Sequence, residues 1–149
     1  MREINKIILH CSASSFGSVS VIDKWHKDRG WSECGYHYVI CNGYENSDDD
    51  FEETVMNGEV QEGRDLNKSG AHARGYNADS IGICMIGTDK FSEEQFISLG
   101  SVVIGMMTQF DLQVEDVIAH ADVDTHGKTC PNFNVKDFMD KYVLSEYVV

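Results

Sequence analysis

Ile7-Ile8-Leu9-His10 and, much later in the chain, Val117-Ile118-Ala119-His120 are short apolar runs that each end in a histidine. A run of this kind reads as a buried strand, over about residues 4–10 in the first case and 114–120 in the second, with its last side chain emerging at the sheet edge. Two such strands side by side deliver two imidazoles to one rim. Lys128-Thr129-Cys130-Pro131 follows the second run, so a thiolate from the adjoining loop completes a His10, His120, Cys130 set. Three protein ligands with a fourth position open is the arrangement of a catalytic zinc rather than a structural one. Each histidine taken singly has an ordinary structural reading, and the long interval between them carries no local signature. Only the convergence of all three points to hydrolytic metal chemistry.

Working outward, the chain reads as strands alternating with helices, an α/β architecture with a central mixed sheet flanked by helices. Ser20, with Asp23 three residues on, predicts a helix over about 21–29 that Gly30 ends. Tyr36 to Cys41 alternates as a strand, with Tyr36, Tyr38 and Ile40 on one face and His37, Val39 and Cys41 on the other. Asn57-Gly58 is a hairpin turn signal before a strand over 59–62, and Ser80 to Ile86 reads as a central strand. Ser92 with Gln95 opens a long helix whose Phe96, Leu99, Val103, Met106, Met107 and Phe110 keep helical spacing, a stripe that belongs to the core. Asn134 caps a last helix over about 135–146, with Phe133 and Phe138 as its hydrophobic staple.

The 149 residues suffice for one domain, 1–149, with a substantial core. A formal charge of −13, from 12 basic and 25 acidic residues, argues against nucleic acid and anionic membranes. No apolar window is long enough to span a bilayer. Met1-Arg2-Glu3-Ile4-Asn5-Lys6 enters a strand without an apolar leader region, so synthesis in the cytoplasm without a signal peptide is expected. Five cysteines then read as reduced thiols, with Cys130 a ligand and Cys11, Cys34, Cys41 and Cys84 as small core side chains. The acidic stretch 42–57 reads as an exposed loop insertion; its spacing does not satisfy a calcium-binding loop.

Around the metal set, Lys128 is placed to stabilise an oxyanion, against the plain reading of a solvated loop lysine. A phenol such as Tyr36 near zinc can hold the attacking water or pass a proton, where a strand-start tyrosine otherwise packs. Asp122 is a candidate to orient an imidazole, and His126 an alternative ligand.

The chain resembles the zinc-dependent type 2 N-acetylmuramoyl-L-alanine amidases, a family that includes the peptidoglycan recognition proteins, and most of all the small lysozyme-amidases of T-odd phages. The residues that carry the likeness are Ile8-Leu9-His10-Cys11-Ser12-Ala13, Trp25-His26-Lys27, Gly30-Trp31 and Gly35-Tyr36-His37-Tyr38. It continues through Glu62-Gly63-Arg64-Asp65, Gly70-Ala71-His72-Ala73-Arg74-Gly75-Tyr76-Asn77, Ser80-Ile81-Gly82-Ile83-Cys84 and Lys128-Thr129-Cys130-Pro131. The resemblance implies one Zn2+ per chain on His10, His120 and Cys130, with Tyr36 and Lys128 as catalytic partners. It further implies a peptidoglycan groove along Gly70–Asn77, with His72, Arg64 and Asn77 as substrate contacts. The implied enzyme is a monomer made in the host cytoplasm that reaches the cell wall after release. Phage relatives also bind and inhibit their phage RNA polymerase, a partner for which no residue here is diagnostic. The chain departs from the family pattern in the acidic 42–57 segment and in a slightly longer interval between His120 and Cys130.

Overall fold

A computed structural model of the chain describes residues 2–47 and 55–147. Residues 48–54 of the expected acidic insertion lie outside the described residues.

Among those residues, five strands form one mixed sheet. β1 (Lys6–Cys11) lies near its centre, β2 is Tyr38–Asn42, β3 Asn57–Glu62, β4 Ser80–Met85 and β5 Val117–Ala119, in the order β3-β2-β4-β1-β5. β1 runs parallel to β4 on one side and to β5 on the other, in register Ile7 with Val117 and Leu9 with Ala119. β2 is parallel to β4, and β3 closes the edge antiparallel to β2. Parallel strands covered on both faces read as continuous apolar runs. That is the pattern of β4, buried throughout, and of Ile7, Ile8 and Leu9 in β1.

Two helices cover the two faces. α1 (Val19–Asp28) is capped by Ser18, whose hydroxyl accepts from the Val21 amide at 3.2 Å. Ser20 thus falls inside the helix instead of capping it, because Ser18 is the residue with extended backbone. Asp23 does not close a capping box either; its carboxylate accepts from the Cys34 amide at 2.9 Å and pairs with Lys27 at 2.8 Å. α2 (Glu93–Phe110) begins at the expected Ser92/Gln95 capping box and buries Leu99, Val103 and Met107. Its packing fills the larger core, with Ile7, Leu9, Ile40, Ile81, Ile83 and Met85. The smaller core joins Ile22 of α1 to Val39, Cys41, Cys84 and Ile86. No described helix is long and apolar enough to cross a membrane.

Three other expectations are corrected. Asn57-Gly58 is not a turn but the start of β3, at a register shift; Gly58 has φ +86°, and a β-carbon there would sit 2.9 Å from the Glu94 carbonyl oxygen of α2. The run 114–120 is a strand only over Val117–Ala119, between single 3-10 turns at Val114–Asp116 and His120–Asp122. The last helix is α-helical only over Val135–Phe138 (α3), then widens to a π turn at Met139–Val143. Asn134 does cap it, and Phe133 meets Phe138 at 5.9 Å between ring centroids.

Candidate active site

The ends of β1 and β5 bring His10 and His120 together, with ring centroids 4.5 Å apart. The loop after His120 returns so that the Ala121 amide donates to the Cys130 carbonyl at 2.9 Å, and the Cys11 amide donates to Cys130 Sγ at 3.0 Å. One donor atom from each of His10, His120 and Cys130 then lies within 4.8 Å of the other two. A tetrahedral zinc holds nitrogen and sulfur donors roughly 3.3–3.8 Å apart, a spacing inside that limit.

The chemistry of the donors also suits a cation. Burial, then the neighbouring His72, His120 and Lys128, pushes the His10 pKa well below its ordinary value; burial and Lys128 lower that of His120. Both imidazoles are therefore neutral and able to ligate at physiological pH. The adjoining Cys11 thiol and burial push the Cys130 pKa up, so a thiolate at this position calls for a cation beside it. Two imidazoles and a thiolate form a borderline-soft set that fits zinc.

These donors sit beside a cleft of about 670 Å³ whose walls include Trp31, Tyr36, His72, Asn77, His120 and Lys128. Arg29, Arg74 and Lys128 gather there with one carboxylate, Asp124, against an overall charge of −13. The cleft is thus a cationic recess in an anionic protein, and it suits a ligand that bears carboxylates. Tyr36 is half-buried, its ring centroid 5.1 Å from that of His10. Burial and the nearby Cys84 and Cys130 raise its pKa well above the usual phenol value. At neutral pH it is a proton-bearing hydrogen-bond donor, not a base. Lys128 is exposed on the rim, its backbone amide donating to Asp124 Oδ2 at 2.9 Å.

Other expectations meet different geometry. Tyr36 does not share a face with Tyr38: the strand begins only at Tyr38, which packs into the larger core while Tyr36 joins the smaller one. His37 does not face away from Tyr36 as the alternation predicts: its ring lies 5.8 Å from that of His72, its Nδ1 accepts from the Gly82 amide at 3.0 Å and its other nitrogen faces the Lys68 carbonyl at 2.9 Å. Arg64 stitches loops together, donating to the carbonyls of Cys34, Ser69 and Glu33, and lines a separate recess. Asn77 does reach the cleft, but its Oδ1 accepts from the amides of His72 and Ala73 at 2.8 and 2.9 Å. Asp122 turns back to accept from the Ala119 amide at 3.0 Å and orients no imidazole. His126 stays exposed, 3.7 Å from the Asp124 carboxylate and outside the three-donor set. His26, Arg29 and Trp31 reach the cleft with no spacing signal; His26 and Trp31 leave a trace in the Trp25-His26-Lys27 and Gly30-Trp31 motifs, and Arg29 leaves none.

The sequence model of the N-acetylmuramoyl-L-alanine amidases matches residues 1–133. The chain belongs to that amidase family. The endolysin of Enterobacteria phage T3 is 35% identical to this amidase over 149 residues, covering 93% of this chain and 87% of the relative. Among solved structures, the N-acetylmuramoyl-L-alanine amidase LysC from Clostridium intestinale superposes with a TM-score of 0.76 at 28% identity, over 94% of this chain and 85% of that one. Drosophila PGRP-LB shares the fold, with a TM-score of 0.69 at 19% identity over 95% of this chain and 82% of its own. The amidase is thus an enzyme whose mixed sheet and flanking helices are those of amidases and peptidoglycan recognition proteins alike.

Proposed function

We propose that the chain cuts the amide joining the lactyl group of N-acetylmuramic acid to the first L-alanine of the peptidoglycan stem, as a phage lysis enzyme that meets the wall after release. The observation that carries this reading is the convergence of His10, His120 and Cys130 beside a cleft that also holds Tyr36 and Lys128. His10, His120 and Cys130 would hold one zinc ion, which supplies Lewis acidity and lowers the pKa of solvent at the open position.

The remaining roles fall to the protein's own groups. Lys128, on the rim, places a cation where negative charge develops on the carbonyl oxygen. Tyr36 keeps its proton at neutral pH, so it donates a hydrogen bond to the oxygen of the attacked carbonyl and is the group that can protonate the leaving amine, regaining its proton from solvent. Arg29 and Arg74 draw the carboxylates of the stem peptide into the cleft. Asn77 holds the His72–Ala73 turn through its two amide contacts, shaping the wall without touching the reacting atoms.

The test is mass spectrometry of digested peptidoglycan paired with metal analysis of the enzyme. Release of intact stem peptides with free L-alanine amino groups, by protein carrying one zinc per chain, is the expected result. Cleavage between sugars, or full activity after zinc is stripped, overturns the reading.

A further inference from the structure

The imidazole of His72 bridges a metal-ligand candidate and the floor of the sheet. Its Nδ1 lies 2.8 Å from His10 Nε2, and its Nε2 lies 3.3 Å from Ser80 Oγ. The Ser80 hydroxyl itself donates to the Tyr76 carbonyl at 2.6 Å. A hydroxyl has a single proton, so toward His72 the Ser80 oxygen accepts, and the His72 proton sits on Nε2. A neutral ring protonated there offers a lone pair at Nδ1, which makes His10 Nε2–H the donor in the 2.8 Å contact. His10 Nδ1 is then the nitrogen left bare.

We propose that this relay, from His10 through His72 and Ser80 to the Tyr76 carbonyl, fixes the tautomer of His10 and directs its Nδ1 to the cation shared with His120 and Cys130. His72 is a positioning residue in this role, not a substrate contact, and the inference rests on the zinc reading above. Ligating histidines commonly give their second ring N–H to a carboxylate, a carbonyl or water. A neutral imidazole does the same here without bringing a further negative charge beside the thiolate.

The surroundings are cut to seat that ring. A β-carbon at Gly82, inside β4, would lie 2.5 Å from His72 Cδ2 and Cγ, and one at Gly70 would lie 2.4 Å from Cδ2. A glycine inside a buried strand weakens the strand and marks a close approach; at Gly82 the approaching group is His72.

The experiment reads ring-nitrogen NMR shifts of 15N-histidine-labelled, zinc-loaded protein, together with zinc affinity by chelator competition. The expected wild-type spectrum has His10 protonated at Nε2 and metal-bound at Nδ1. His72→Phe, which keeps the ring volume but loses the acceptor, should weaken zinc binding roughly 10–100-fold, and His72→Gln should restore part of it. A His10 ring bound through Nε2, or unchanged affinity in folded His72→Phe, overturns the proposal. The wild-type spectrum decides the question even if the variant does not fold. Wild-type protein that takes up no zinc removes the underlying reading and this one with it; zinc uptake with the wrong tautomer removes this one alone.

Discussion

The two faces of the sheet are both buried, yet they are built to opposite ends. β4 shows the contrast within one strand. Ile81, Ile83 and Met85 point into the larger core under α2, while Ser80, Gly82 and Cys84 point the other way. The first face is filled with branched and long side chains. The second has a floor of small residues, and the volume they leave is occupied by rings, those of His10, Tyr36, His37 and His72, with ring centroids 4.9–6.4 Å apart. Burial alone therefore does not distinguish core from site. What distinguishes them is side-chain volume on alternate residues, large where the sheet must be stable and small where it must hold polar rings.

If that division is sound, substitutions on the hollow face change chemistry and those on the filled face change stability. The largest effect is expected from Cys130→Ser, which should abolish wall hydrolysis and lower zinc content while the circular dichroism spectrum stays that of the native protein. Wild-type turnover in this variant breaks the assignment of the thiolate. Lys128→Ala should cost about 3–4 kcal/mol of transition-state stabilisation, read as a fall in kcat with an unchanged urea midpoint. An unaltered kcat would return Lys128 to the role of a solvated rim residue.

On the filled face, Leu99→Ala should lower the unfolding free energy by about 2–5 kcal/mol, measured by urea titration. Its hydrolysis rate per folded molecule should stay at the wild-type value; a loss of rate would show that the two faces are coupled. The gentlest probe is pH. Burial, with Arg29 second, brings the His26 pKa down to about 4, and burial with Arg2 nearby brings His37 to about 4 as well. The unfolded chain takes up these protons near pH 6.5, so it binds more protons than the native state between about 6.5 and 4. Stability should thus fall as pH drops through that window. His37→Gln should flatten the slope; an equally steep slope would assign the acid sensitivity elsewhere.

Much of this plan is legible in the sequence because the apolar runs ending in His10 and His120 read as strands, although the second keeps only Val117–Ala119 and buries only Val117. Their pairing, and the loop that returns Cys130, follow from topology. Local competition among similar signals hides the rest. Two serines stand within three residues at the start of α1, and only backbone conformation selects Ser18 over Ser20. Asn57-Gly58 has the composition of a hairpin turn, but the close passage of α2 decides its geometry. Arg64 looks like a ligand for an anionic substrate, and nothing in its neighbours announces that three loop carbonyls occupy its guanidinium. Tyr36 falls outside the two-residue alternation, which starts only at Tyr38. His72 carries a motif but no spacing signal, since its contact with His10 spans 62 residues.

β5 is a three-residue edge strand, and it joins the sheet through β1. Residue 10 therefore waits, during synthesis, for residues 120 and 130 to leave the ribosome before its partners exist. A chain cut before residue 130 lacks the thiolate, and it lacks Phe138, Met139 and Val143 of the filled core as well. The last stretch of chain thus completes the donor set and the filled core together.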